Sequence, residues 1–538
     1  MQIFSFSPFG YEGALVTVEV DLRRGIPAVD IVGLADGAVK ESRERMAAAI
    51  RNSCLDFPME RVLISLSPAD LKKEGAGFDL PIALAVLVAK GISDGAEDFI
   101  SERVLIMGEL ELSGKIRPVK GIHAAVSTAI SCGIKYCIVP LQNCDEAREV
   151  CGVKIFGAES LENAFFALKD ESVFVESKSE ESKNAVPANC VDVGGIYFAY
   201  GSSDYEFADI KGQAKLVRGL EIAAAGGHNF IAVGAPGCGK TMGIQKFPAI
   251  NPVLTLEEAQ SVTRIWSLAG LIKPSEPLVR IPPFRIPHQT ASIEGICGGG
   301  PQCRPGEISL AHNGVLFLDE AAEFRSSVLQ MLRVPLENGN VCLSRAGRST
   351  RYPANFQLLM AVNPCPCGNF GSKSKICLCS AKSVEQYWKK FSAPLLDRVD
   401  LRVFVENENH TNENTKMDDL SIYNEVSKST VSRKSFSTTA ELREGIARAV
   451  MAQRKRQNVK NAKLSTEQIG VFCSIDEECK SLLDKASERY GFSPRAVASC
   501  LKVARTIADI DGSNNILPVH LNEAIDFRKL CSNLVPEI

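Results

Sequence analysis

Three strand-like segments bring together residue types that handle phosphate. Phe230 to Gly234 is an apolar run that opens into a loop of Gly234, Ala235, Pro236, Gly237, Cys238, Gly239, Lys240 and Thr241. Glycines let such a loop turn its backbone N–H groups toward phosphate oxygens, a lysine reaches the β and γ oxygens, and a threonine hydroxyl ligates Mg²⁺. A helical segment follows, which is the context this motif requires. Further along, Gly314 to Leu318 is a second apolar run closing on Asp319 and Glu320. Carboxyl ends of strands in an open α/β sheet face the ligand crevice. Asp319 is therefore expected to hold the metal, and Glu320 to orient and deprotonate the attacking water. Taken alone, an apolar run before Asp-Glu is equally a helix start; the phosphate loop upstream decides. A third run, Phe356 to Val362, ends at Asn363, an amide suited to positioning water or touching the γ-phosphate, although before Pro364 it also reads as a turn residue. The expected chemistry is hydrolysis of a nucleotide with Mg²⁺.

A second constellation is made of thiols. Of 18 cysteines, those such as Cys54, Cys190 and Cys500 stand singly and read as small core residues. Cys365, Cys367, Cys377 and Cys379 instead form two C-x-C pairs separated by nine residues. Four thiolates match Zn²⁺ in ligand type and number, with a tighter spacing than the usual structural site. The competing reading is ordinary reduced thiols. A staple there would expose Lys373 and Lys375 on the intervening loop. Arg345, Arg348 and Arg351 surround the turn of a hairpin spanning Val341 to Tyr352; they read either as phosphate contacts for a nucleic-acid strand or as a solvated turn. Glu441 to Lys463 carries seven basic residues against two acidic ones, a DNA-facing surface or simply a soluble helix.

These groups need a scaffold. The chain has 538 residues, 45% hydrophobic and 23% charged, with a net charge of −3. That excludes a globally basic nucleic-acid coat and leaves a local basic surface open. No apolar stretch reaches the roughly 20 residues of a bilayer span; the longest, Leu80 to Ala89, contains Pro81. The first residues lack the basic and long apolar regions of a signal peptide, so a cytoplasmic location without a membrane partner is expected. Residues 1–170 mix strand-like runs at Val16–Val20, Val62–Leu66, Val104–Met107 and Tyr136–Val139 with helical periodicity at Ala38–Asn52 and Leu80–Lys90. This predicts an α/β unit. Residues 171–204 are expected to be a linker, because Glu176 to Asn184 is charged, serine-rich and free of aromatics. Residues 205–405 carry the phosphate motifs, 406–437 read as a polar insertion, and 438–538 read as helices at Leu442–Gln457, Asp476–Tyr490, Pro494–Ile510 and Pro518–Leu530.

Several long stretches resemble the magnesium-chelatase-like AAA+ ATPases of the ComM/YifB type: Phe207 to Gln213, Glu221 to Asn229, Arg304 to Gly314, Asn363 to Gly368, Pro394 to Asp400 and Val503 to Asp509. The resemblance covers nearly the whole chain. It implies an α/β P-loop core with a parallel sheet and a C-terminal helical lid, working as a ring, commonly a homo-hexamer, with nucleotide between subunits. It implies that Arg398 is an arginine finger entering the neighbour's site, where it neutralises charge on the transferred phosphoryl group, and that Arg495 is the sensor 2 arginine of the lid. As bare residues both read as surface arginines. It also implies single-stranded or branched DNA as partner and a branch-migration helicase of recombination or natural transformation, with the arginine hairpin near the pore. A chelatase-like remodeller for metal insertion is the alternative.

The first unit resembles the Lon-protease fold, and there the residues remove a function. The stretch matching the nucleophile segment, Glu74 to Pro81, has no serine, and His123 stands at the lysine's place. A serine–lysine dyad cannot be assembled, which disfavours an ATP-dependent protease. The family pattern is departed from at Ala321-Ala322, where relatives carry Leu-Pro, and at Gln289, which replaces the second histidine of a His-His-Thr.

Overall fold

The computed structural model describes residues 2–71, 73, 75–93, 103–177, 189–200, 206–300, 303–345, 348–370, 376–405 and 437–529. Residues 2–176 build a mixed eight-stranded sheet in the order Val175–Glu176, Lys154–Ala158, Tyr136–Pro140, Arg103–Ile106, Gln2–Ser7, Ala14–Arg23, Arg61–Ser67, Val29–Val32. Along Ala14–Arg23, Val16 and Val18 are buried while their neighbours are half-exposed, the alternation of a strand with one face on a core. The helices Gly37–Asn52 and Asp79–Ser93 cover that face. The first is started by Asp36, whose carboxylate accepts from the Val39 N–H at 2.8 Å. The second is apolar on every side and buried from Leu80 to Val88, as a helix enclosed by its own unit should be.

A five-stranded, wholly parallel sheet runs Phe284–Arg285, Val315–Leu318, Gln357–Val362, Phe230–Gly234, Leu401–Val405. Its three central strands are buried at every residue, the pattern of parallel strands covered on both faces. The register sets Val362 beside Val233 and Leu318 beside Met360. All three phosphate-handling segments therefore leave the sheet along one edge. The helices Thr439–Arg456, Thr466–Phe472, Glu477–Tyr490, Pro494–Ile510 and Pro518–Arg528 share a hydrophobic core with the helix Ala214–Gly226 and the back of this sheet.

The expected linker at 171–204 is narrower in the structure. Val175–Glu176 pairs with Lys154 and Ile155 as an edge strand. Cys190–Val193 and Ile196–Ala199 form a hairpin that buries Ile196 and Phe198 in the second core. Two apolar residues at period 2 suffice to order this piece, a signal that the polar composition around it hides. The middle of that stretch, the polar insertion at 406–436, and Lys373 and Lys375 lie outside the described residues. Among the described residues no helix is long and apolar enough to cross a membrane.

One helix joins the two sheets. Leu256–Ala269 opens with a capping box between Thr255 and Glu258 and closes at Gly270, φ +71°. Its residues 260, 264 and 267 share a face. Gln260 Nε2 donates to the Glu149 carbonyl at 2.7 Å, Arg264 donates to the Tyr11 and Glu12 carbonyls at 3.1 and 2.9 Å, and Ser267 donates to Glu146.

Candidate functional site

The strand Phe230–Gly234 hands over to the loop, and the loop to the helix Lys240–Gln245. Gly237 and Gly239 take φ of +81° and +91°, conformations that would strain any residue with a Cβ. This lets Lys240 Nζ fold back and donate to the Gly234 and Ala235 carbonyls at 2.6 and 2.8 Å, and to Asn363 Oδ1 at 3.3 Å. Burial draws the Lys240 ammonium below its usual range, against the attraction of Cys238, Asp319 and Glu320. Thr241 Oγ1 donates to Asp319 Oδ1 at 2.9 Å. Lysine, threonine, aspartate and asparagine, from three strand ends, thus meet in one place.

Glu320 sits at the rim. Its backbone is left-handed, φ +47° and ψ +49°, an uncommon conformation for a residue with a side chain and one that clusters at functional sites. Its N–H donates to Asp319 Oδ1 at 3.0 Å, and its Oε2 accepts from Gln289 Nε2 at 2.6 Å. Gln289 was visible in the sequence only as a departure from a family pattern. Its contact with Glu320 could not be read there, because 31 residues separate them.

Arg398 and Arg495 are brought together, though not at this loop. Both guanidiniums pair with Glu337, on the helix Arg333–Asn338; Arg495 Nη2 lies 3.3 Å from Oε1 and Arg398 engages Oε2. The two arginines hold the Glu337 carboxyl below the usual carboxylate range, Arg398 contributing most. Next to Arg398, Asp397 accepts from Arg528 at 2.9 Å and from Ser493, the N-cap of Pro494–Ile510, at 3.2 Å. Glu337 and Asp397 therefore tie the unit of the parallel sheet to the C-terminal helices. No sequence motif marked Glu337.

The four cysteines converge. All four Sγ atoms lie within 4.8 Å of one another, with Cys365 3.4 Å from Cys367 and 3.7 Å from Cys377, and Cys367 3.6 Å from Cys377. These separations are far beyond a disulfide bond of about 2.05 Å. Sulfurs at the corners of a tetrahedron around Zn²⁺, with bonds of about 2.3 Å, lie about 3.8 Å apart. The donor set fits that ion. The backbone N–H of Asn369 draws the Cys367 thiol down, while the neighbouring sulfurs push Cys377 and Cys379 up, as thiols this close together resist ionising at once.

The hairpin Asn340–Arg345 and Arg348–Pro353 pairs Cys342 with Arg351. Thr350 and Tyr352 face the first sheet's unit, where Tyr11 N–H donates to Thr350 Oγ1 at 3.1 Å and the Tyr11 and Tyr352 rings meet edge to face at 6.1 Å. Alternation puts Arg351 on the opposite side, exposed. The side chains of Arg345 and Arg348 lie outside the described residues. The basic segment at Glu441 to Lys463 is not one continuous surface. Arg443 is buried, donating to the Ala249 and Ala199 carbonyls, and Arg456 is paired with Asp509; Arg448, Arg454, Lys455, Lys460 and Lys463 remain exposed.

Known proteins resemble this chain over most of its length. The family descriptions for magnesium chelatase subunit ChlI match residues 206–413 and 18–143, and that for its C-terminal part matches residues 437–528. The protein YifB of Escherichia coli is 36% identical over 522 residues, 97% of this chain and 95% of its own length. Competence protein ComM of Haemophilus influenzae is 35% identical over 529 residues, 98% of this chain and 97% of its own. Lon protease of Rhizobium meliloti is 25% identical over 146 residues, 26% of this chain and 17% of its own. With YifB and ComM matched over nearly their full lengths, the chain belongs to the YifB/ComM family of magnesium-chelatase-like AAA+ ATPases.

Proposed function

We propose that the chain is an ATP-hydrolysing ring motor acting on DNA, a branch-migration helicase of recombination or natural transformation. The observation that carries this reading is the convergence of Lys240, Thr241, Asp319 and Asn363 at one sheet edge, in a chain matched end to end by a relative named competence protein. In this reading residues 1–170 are a Lon-like collar, 205–405 the motor core and 438–538 its helical lid, in a cytoplasmic homo-hexamer.

The residues fit ATP with Mg²⁺. Thr241 Oγ1 and Asp319 Oδ1 stand 2.9 Å apart, the spacing of adjacent oxygen ligands on an octahedral Mg²⁺ with bonds of about 2.05 Å. The bound ion would neutralise phosphate charge. Gly234, Ala235, Pro236, Gly237, Cys238 and Gly239 form the phosphate cradle. Lys240 exchanges loop carbonyls for phosphate oxygens, Asn363 orients the water or the γ-phosphate, and Glu320 takes the water's proton. Arg398 and Arg495 exchange the Glu337 carboxylate for phosphoryl oxygens, Arg398 in the neighbouring subunit's site and Arg495 from the lid. Arg351, with Arg345 and Arg348, contacts the phosphates of the threaded strand.

Zn²⁺ at Cys365, Cys367, Cys377 and Cys379 is the second element of the proposal, carried by the sulfur separations. Metal analysis of protein purified without chelators is expected to find about one zinc per chain, the content of a closed four-thiolate site; a content well below that rejects the ion. The motor is tested by unwinding of forked or three-stranded DNA with ATP. Unwinding is expected for the native chain and not for Lys240→Ala, and equal activity of the two would overturn the proposal. DNA is expected to stimulate ATP turnover. Turnover indifferent to DNA but coupled to metal insertion by a partner would favour the chelatase-like remodeller instead.

A further inference from the structure

Resting on the zinc reading above, we propose that the four-cysteine centre positions the cap of the nucleotide loop, so that metal occupancy controls nucleotide affinity. The two C-x-C pairs are attached at both ends to the nucleotide site. Cys365 follows directly on Asn363 and Pro364, and Asn363 Oδ1 accepts from Lys240 Nζ. Cys379 is followed by Ser380, the N-cap of the helix Ala381–Trp388, whose side chain accepts from the Ser383 N–H. That helix returns to the same place, since Trp388 Nε1 donates to the Pro364 carbonyl at 3.0 Å.

Between the pairs, Gly368 lies against the loop itself. Cys365 is wholly buried. The N–H of Gly368 donates to the Cys365 carbonyl at 2.9 Å, and the N–H of Phe370 donates to Cys365 Sγ at 3.3 Å, closing a tight turn. Gly368 has φ +75°, and a Cβ built on it would stand 2.5 Å from Pro236 Cδ and 2.6 Å from Pro236 Cγ. No side chain fits there. The backbone of the cysteine turn is pressed against the proline of the phosphate loop.

A four-coordinate metal would tie this turn to Cys377 and Cys379, and through them to a helix anchored in the core by Trp388. With the metal removed, the turn keeps its own hydrogen bonds and the burial of Cys365 but loses its tie to Cys377 and Cys379, since the four thiols share no covalent bond. Nucleotide binding and metal binding are then coupled sites, and linkage requires the effect to run both ways by the same factor.

The test uses the full-length protein, titrated with a fluorescent ADP analogue in Mg²⁺ buffer before and after treatment with a zinc-selective chelator, with zinc content measured alongside. Zinc removal is expected to weaken analogue binding about tenfold, within the usual range of site-to-site coupling, and zinc alone is expected to restore it. Reciprocally, ADP is expected to tighten zinc against the chelator by the same factor. Gly368→Ala is expected to retain zinc and a cooperative unfolding transition, shifted down by the strain of an alanine at φ +75°, while weakening the analogue. Zinc present, removable, and without effect on analogue affinity beyond about twofold overturns the coupling and leaves the zinc reading standing. A protein that neither contains nor takes up zinc overturns both. Unchanged analogue binding in Gly368→Ala overturns the route through Pro236.

Discussion

The nucleotide edge and the buried Asp79 and His123 clusters of the Lon-like unit use similar side chains to opposite ends. At the nucleotide edge, Lys240, Asp319 and Glu320 contact loop carbonyls, hydroxyls and amides at a half-open rim. Each of these partners can be exchanged for a phosphate, an ion or a water. In the Lon-like unit, Asp79 is fully buried and its carboxylate is saturated by Arg45 at 2.7 and 2.9 Å, by the Leu110 N–H at 3.2 Å and by Ser42. His123 is 1% exposed, with Nε2 2.9 Å from Gln260 Oε1 on the helix Leu256–Ala269. The difference teaches that a polar cluster does chemistry only if its partners can leave. The buried partners of Asp79 within its own unit, and the contact of His123 with Gln260 across the two units, cannot leave.

The largest break in the comparison is expected at Glu320. Replacing it by glutamine keeps the size and the acceptor facing Gln289 but removes the base. ATP turnover is expected to fall about a thousandfold, the scale of general base catalysis, with ADP affinity retained; turnover within tenfold of native would place the base elsewhere. The mirror substitution, His123→Ala, is expected to leave turnover nearly unchanged. It removes the partner of Gln260 Oε1, which at about 1–3 kcal/mol for a buried group left unpaired should lower the unfolding midpoint and expose the Lon-like unit to limited proteolysis. A turnover loss as deep as that of Glu320→Gln would mean that the interface takes part in the reaction.

What could be read from the sequence follows the same division. The phosphate loop, the acidic strand end and Asn363 were legible because each is set by neighbours in the chain, an apolar run and the glycines or acids that end it. Ala38–Asn52 and Pro494–Ile510 were legible by periodicity, and the structure has them at Gly37–Asn52 and Pro494–Ile510. The hairpin at Cys190–Ala199 was hidden because only Ile196 and Phe198 mark it. Glu337, which gathers Arg398 and Arg495 across 61 and 158 residues, carries no local signal at all. The inward turn of Arg443 and Arg456 is set by carbonyls and a carboxylate from other elements, which a count of basic residues does not contain.

Gln289 sharpens the comparison at its finest scale, because it is the one partner of the nucleotide edge that resembles a lock. Its amide donates to Glu320 Oε2 at 2.6 Å, and a carboxylate oxygen so engaged is a weaker base toward water. Glu320 already holds a left-handed backbone, so its side chain has few other directions to take while that bond persists. Removing the amide in Gln289→Ala frees the oxygen. Turnover without DNA is then expected to rise about fivefold, the factor matching a net hydrogen bond of about 1 kcal/mol, with ADP affinity unchanged because no loop contact is touched. The gain should shrink when DNA is present, if DNA engagement is what normally releases Glu320. A fall in turnover would instead make Gln289 a group that aims Glu320 at its water, and the bond would belong with the working contacts of the edge.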